Sequence, residues 1–508
     1  MTRGSANGRP RGQKRKRSQV PQPSKINWAD IPLELREMIL EALEDSLQGG
    51  KASSYASVCK EWSRILEPYI FKRLKLSLKR IQELKQFVTG RRRQFVQFIW
   101  FQFERAVYQD ELDNVKFSYA IFHLFQALSE WGERNKGHPG IVLELSAFSV
   151  ADPWHSMKDT VPKELKDVDV TEDSDPLNTM YEKSPLRRMR GLSEEAKSQQ
   201  AMSISFYRPF DFPSVLELPF PTVHLITDLT VRRQMHSSFF TRYIGRLIKA
   251  LPRLEFLTFE PSSTSFLQGH GWGGLGLNPN IQAVEKVLNE IPFSIRRLQL
   301  FEDDISLYSN KGRSRIGTDR HALGRLVAHI SQEKEPEALA CCFIIDASDF
   351  FADFWAPQIT WAPGKKLGWT KLTSLVLTSS LITPSYTGRV QALLLAAARA
   401  ARHMPSLEIM EIYNAETAYG GIFTYIHDEK GSIIRWESSW KWEFPSEVIW
   451  IWKMTAKVHG TDIFDHSSDR IQKRDLGWPG RIISLLCTRV TVVHPFTYCN
   501  MMNGLNHM

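Results

Sequence analysis

The sequence predicts a mixed α+β protein. A small three-helix domain lies near the N-terminus, and an irregular α/β solenoid with a β-rich C-terminal cap follows it. Three observations predict this. Between residues 26 and 75, apolar residues recur at three- and four-residue spacing. Beyond them a short extended pattern, apolar-x-x-apolar-x-apolar, returns repeatedly with helical patterns between its copies. Near the C-terminus, aromatic and polar residues alternate with the period of a strand.

Composition sets the bounds. A chain of 508 residues with 42% hydrophobic and 24% charged residues can bury a large core in more than one domain. It contains no apolar run of the length, about 18 residues, that spans a membrane. The first residues are basic and polar, which does not fit a secretory signal. Five cysteines (Cys59, Cys341, Cys342, Cys487 and Cys499) form no CxxC or Cys/His zinc spacing. They read as reduced thiols of a nuclear or cytoplasmic protein.

Charge is concentrated in one place. Residues 1–25 carry Arg3, Arg9, Arg11, Lys14, Arg15, Lys16, Arg17 and Lys25 and no acid, so they hold eight of the nine net positive charges. The rest is nearly neutral, which argues against a folded body that binds nucleic acid. The Gly/Pro/Ser/Gln-rich tail is expected to be disordered. Its cluster Lys14, Arg15, Lys16 and Arg17 suits a nuclear-import signal, whose receptor groove is acidic.

The first helix follows Pro32, a residue suited to a first helical turn. Leu35, Ile39, Ala42 and Leu43 form its apolar stripe, and "QGG" (48–50) breaks it. A second helical pattern runs through Tyr55, Val58, Cys59, Trp62, Ile65 and Leu66, and Pro68 should end or kink it. Tyr69, Ile70, Phe71 and Leu74 lead into a third element. Three short helices hide less apolar surface than this segment carries, so something must cover the surplus.

The residues "IPLELREMIL" (31–40) followed by "SVCKEW" (57–62) resemble the F-box, whose motif reads Leu-Pro-x-Glu-(Ile/Leu) and then Val-Cys-(Lys/Arg)-x-Trp. Ile31 stands where leucine is usual. The resemblance covers about residues 28–75 and implies a domain at 26–75. It also implies docking onto the Skp-type adaptor of a cullin-RING (SCF) ubiquitin ligase, and through the adaptor onto cullin. Ile31, Pro32, Leu35, Ile39, Leu40, Val58, Cys59 and Trp62 would be divided between the domain's own core and the adaptor groove.

Residues 76–508 are expected to recognise a target protein. Copies of the extended pattern are Ile226/Leu229/Val231, Leu254/Leu257/Phe259, Ile295/Leu298/Leu300, Ala340/Phe343/Ile345, Leu372/Leu375/Leu377 and Leu407/Met410/Ile412. A weaker one is Phe95/Phe98/Trp100. Helical patterns at 239–251, 281–291, 321–330 and 389–404 separate them. Strand then helix, with faces only a neighbour can cover, is the logic of a solenoid. The pattern resembles leucine-rich repeats, with longer and less regular units and no asparagine ladder.

Two segments interrupt it. Residues 151–200 lack apolar periodicity and read as a disordered insertion. Residues 433–454, crowded with Trp436, Trp440, Trp442, Trp450 and Trp452, read as a hairpin, and 489–498 as a strand. The aromatics are best explained as packing in an end cap. The whole arrangement is similar to a large group of F-box proteins of filamentous fungi.

Catalysis is not expected. "GWGGLG" (Gly271, Gly273, Gly276) has the glycine spacing of a dinucleotide loop, but intervening residues part it from the preceding strand and the following helix, against the geometry such a site requires. His123 and His494 read as satisfied core residues, and no metal or cofactor is expected. The leading expectation is a non-catalytic substrate receptor of an SCF-type ligase that binds neither membrane nor, through its body, nucleic acid. The alternatives are an F-box scaffold or nuclear interaction protein outside the ligase, and a nucleotide-binding oxidoreductase.

Overall fold

The structure is a computed structural model. It describes residues 28–46, 52–105, 110–134, 139–149, 219–232, 241–260, 279–302, 319–356, 368–416, 418–472, 476, 479–495 and 497–498. The basic tail, the import cluster, residues 151–200 and the glycine loop at 271–276 lie outside the described residues. The chain divides into two compact units, Met1–Leu66 and Glu67–Met508.

In the first unit a 3-10 turn (Trp28–Asp30) precedes helix α1 (Leu33–Ser46), α2 (Ala52–Ala56) and the start of α3 (Lys60–Lys72). The 55–66 pattern is therefore not one helix. Ser57, Val58 and Cys59 interrupt it, and the Ser57 hydroxyl donates to Ser54 O at 2.7 Å, a side-chain bond that competes with helix propagation. Pro68, expected to end or kink the helix, does not end it but lies inside α3. Neighbouring Glu67 is fixed by Arg91 (2.8 Å) and Arg92 (2.6 Å), and such tertiary contacts override the local cost of a proline.

Among the described residues, the second unit is built on one twelve-stranded open sheet whose spatial order is its sequence order. After β1 (Arg73–Leu76) come α4 (Ile81–Phe87), α5 (Arg92–Phe95), β2 (Phe98–Arg105), α6 (Asp110–Ser129) and β3 (Ile141–Ser149). Then β4 (Ile226–Val231), α7 (Thr241–Lys249), β5 (Phe256–Phe259), α8 (Pro279–Asn289), β6 (Arg297–Phe301) and α9 (Asp319–Lys334) alternate. Next are β7 (Ala338–Cys342), α10 (Ala347–Phe350), β8 (Ser374–Thr378), α11 (Thr387–Ala401) and β9 (Ile409–Ala415). Strands β1 to β9 are parallel. The antiparallel hairpin β10 (Gly420–Asp428) and β11 (Gly431–Ser438) follows, then α12 (Ser446–Val458) and β12 (Phe464–Arg470), parallel to β11.

Strand period two sends alternate residues to opposite faces. Leu229, Leu257, Leu298, Leu339, Leu375 and Met410 form one row beneath the helices, in a single core with Phe117, Leu247, Val287, Val327 and Leu394. Two copies of the pattern sit off their expected place, the observed one lying one residue later in β2 and four residues earlier in β7. In β7 the residues facing this core are Leu339 and Cys341, with Ala340 on the other face. In β2 they are Ile99 and Phe101, with Phe98 and Trp100 opposite. The correct triplets are Pro336/Leu339/Cys341 and Val96/Ile99/Phe101. In β2 a one-residue slip swaps faces, and both registers look apolar there; in β7 the expected Phe343 and Ile345 fall beyond the end of the strand. The same spacing marks β1 (Phe71/Leu74/Leu76), which the sequence pattern did not single out.

The end of the chain also departs from expectation. Residues 433–454 do not make one hairpin. The hairpin turns at Glu429–Lys430, and Ser446–Val458 is helix. Residues 489–492 form helix α14, after α13 (Pro479–Leu485), where a strand was expected. The last part is therefore mixed rather than β-rich. Trp436 and Trp452 are buried in the main core, Trp440 and Trp442 pack against it, and Trp450 is exposed.

Candidate interaction surfaces

Two surfaces stand out, one in each unit. In the first unit, Trp62 lies against Trp28 (ring centroids 5.1 Å apart) and Tyr55 (6.2 Å). Glu61 ties the same elements together, accepting from Trp28 Nε1 at 3.1 Å and Arg36 Nη1 at 2.8 Å. This small interior leaves much apolar surface outside. Pro32, Leu35, Ile39, Val58 and Cys59 are exposed, whereas Ile31 and Trp62 are half-buried. The side chain of Leu40 lies outside the described residues. Leu33 and Met38 are exposed as well, Met38 at 61% and Val58 at 62%. Sequence reasoning passed over both because they fall off the stripe taken for the inner face. Only Leu66 is fully buried among the described residues of this unit.

The second surface is the sheet face away from the main core. Pairing places Lys75, Trp100, Glu144, Thr230, Thr258, Gln299, Ala340, Val376, Glu411, Thr424, Arg435 and Ser467 in one row across all twelve strands. Over its middle and C-terminal part lies the end of the chain. Ile482, Ile483, Leu486, Val492 and Val493 pack with Phe301, Ala340, Cys342, Val376 and Tyr413 in a second core. Carboxylates of the sheet fix the ends of this strap. Glu411 accepts from the backbone N of Cys487 and Thr488, each at 3.0 Å, and from the Thr488 hydroxyl. Glu260 accepts from His494 N at 2.8 Å and from Thr497 Oγ1 at 2.5 Å. With its amide oxygen turned toward the strap, Gln299 accepts from His494 N at 2.9 Å and Val493 N at 3.3 Å.

Residues 290–494 match a family of unknown function (DUF6546). The match begins just before β6 and ends within the strap, leaving β1 to β5 and the first unit outside it. No curated protein and no solved structure matches the chain.

Burial on this face perturbs several groups. It raises the Glu144 carboxyl, opposed by the paired guanidinium of Arg232. It pushes Asp228 up to about 6. It holds His494 down at about 3, as befits a histidine kept neutral, and raises the Cys342 thiol to about 12. His123 departs in part from a satisfied core residue. Its Nδ1 meets Gln126 Oε1 at 3.2 Å, but its buried Nε2 has no hydrogen-bond partner among the described residues. Among the described residues no group of three or more His, Cys, Asp or Glu could hold a metal, and no helix is long and apolar enough to cross a membrane.

Proposed function

We propose that the protein is the substrate-recognition subunit of an SCF-type ubiquitin ligase. The first unit docks onto a Skp-type adaptor and the sheet unit, read as a leucine-rich-repeat-like solenoid, holds a target protein. The receptor makes no bonds itself. It raises the effective concentration of the target near a ubiquitin-charged enzyme. One observation carries the reading: Leu33, Leu35, Met38, Ile39 and Val58 are exposed together on a unit in which only Leu66 is fully buried among the described residues. A surface this apolar on so small a unit marks a protein interface, and it contains the residues that resemble the F-box. The basic cluster Lys14–Arg17 directs the protein to the nucleus.

Co-expression with a Skp-type adaptor tests this. The pair should co-purify, and Leu35→Glu with Val58→Glu should abolish capture while the sheet unit melts at an unchanged temperature. Both positions are exposed, so their loss does not empty a core. Ile31→Ala with Pro32→Ala should weaken capture in the same way. Capture that survived both double variants would overturn the reading. Deleting residues 1–25 should move a nuclear protein toward the cytoplasm, and an unchanged distribution would remove the import role.

A further inference from the structure

The face that carries the strap is chemically divided. Over β5 to β9 it offers acceptors, Glu260, Gln299 and Glu411, and the chain's own N–H groups fill them. Over β1 to β6 the row nearest the strand starts is different. Pairing aligns Arg73, Phe98, Val142, Asp228, Phe256 and Arg297 side by side. The guanidinium of Arg73 lies 4.2 Å from the centre of the Phe98 ring, and that of Arg297 lies 5.3 Å from the centre of Phe256. In the next row Lys75 repeats the arrangement over Trp100 at 5.1 Å. Arg73 and Arg297 are exposed, and neither makes an ion pair among the described residues. Burial depresses the guanidinium of Arg73, which only the field of Glu144 opposes. A cation held on an aromatic plate, with no ion-pair partner among the described residues, is a place for an anion.

We propose that this half of the sheet face binds an extended acidic segment of a protein. Its carboxylates meet Arg73 at one end and Arg297 at the other, and its apolar centre lies on Phe98, Val142 and Phe256. Five strand spacings separate the two arginines, roughly 24 Å, which an extended segment of about seven or eight residues spans. Asp228 stands between them, so acids belong at the ends of the segment and not in its centre. The same aspartate, with Glu144 behind it, disfavours a polyanion such as nucleic acid, whose charge is continuous. This deepens the proposed function by naming the chemistry of the target, but its test does not involve the adaptor, so either reading can fail alone.

The full chain should be titrated against a fluorescein-labelled peptide of about nine residues, with glutamates at both ends and a Leu-Phe-Val centre. The expected result is saturable binding, roughly micromolar, that weakens with added salt. Arg73→Glu and Arg297→Glu should each weaken it about tenfold, and together abolish it. Arg73→Lys with Arg297→Lys should keep most of it. Circular dichroism must show each variant folded. The same peptide with lysines at its ends should not bind, nor should a single-stranded oligonucleotide of equal charge. Absent peptide binding, equal binding of the lysine peptide, tighter binding of the oligonucleotide, or indifference to the double reversal would each overturn the proposal.

Discussion

Glu411 of β9 and Thr488 at the head of α14 lie 77 positions apart in the chain, and the carboxylate of the first accepts from both the backbone N (3.0 Å) and the hydroxyl of the second. Glu411 is fully buried. Around it are N–H and hydroxyl donors: Cys487 N, Thr488 N, Thr488 Oγ1, and Thr424 Oγ1 at 3.4 Å. A buried carboxylate is tolerated where such donors replace water. The bond therefore fixes the strap to the sheet and also makes the charge affordable to the fold.

Glu411→Ala is expected to strand two backbone N–H groups in an apolar layer, a loss of about 3 kcal/mol. Glu411→Gln keeps an acceptor and should cost less than half of that. Urea melts give the stabilities, and amide exchange over 479–495 should speed up in the alanine variant. Unchanged exchange there would show that apolar packing alone holds the strap.

Leu375→Ala removes a fully buried side chain from the row beneath the helices, and about 2 to 5 kcal/mol should be lost. The same truncation at exposed Val490 should change stability by less than about 0.5 kcal/mol. Equal effects in urea melts would contradict the assignment of faces.

Stability should depend on pH through opposed groups. Burial lowers His494 from 6.5 to about 3, and lowers His459 and His403 as well. The unfolded chain takes up those protons first, so their contribution is complete above pH 6.5 and is lost as pH falls toward the folded values. Burial raises Asp228 from 3.8 to about 6, so its contribution is complete below pH 3.8 and is lost as pH rises through 6. Asp228→Asn should therefore stabilise the protein by roughly 2 kcal/mol near pH 8 and hardly at all near pH 4. A gain that was the same at both pH values would refute the origin in this carboxyl.

Glu61→Ala removes the acceptor shared by Trp28 and Arg36, a loss of roughly 1 to 2 kcal/mol confined to the first unit. Tryptophan fluorescence should report a lower first transition on heating, with the transition of the sheet unit unmoved. A shift in the main transition would mean that the units unfold together.

Much of this architecture is local information. The i, i+3, i+5 spacing at residues 254–259, 295–300, 372–377 and 407–412 is enough to set strand, face and register, because one face of each strand is buried under a helix and a polar residue there would have no partner. The helices at 241–249 and 387–401 follow from the same alternation of faces. The apolar surplus of residues 31–62 was also legible, though not its division: only packing shows that Trp62 turns toward Trp28 and Tyr55 while Val58 faces out. Registers at 96–101 and 336–341 were decided by the fold, since apolar residues stand on both faces there and the run of residues does not discriminate. Tertiary structure alone decided that 489–492 is helical: a buried Glu411 brought from β9 accepts from Cys487 N and Thr488 N just ahead of it, where the β-branched sequence by itself favours a strand. It alone decided, too, that cations far apart in the chain, Arg73 and Arg297, stand in one row. Sequence determines such a row only through the pairing of each strand with its neighbour, a sum of long-range contacts that no local pattern records.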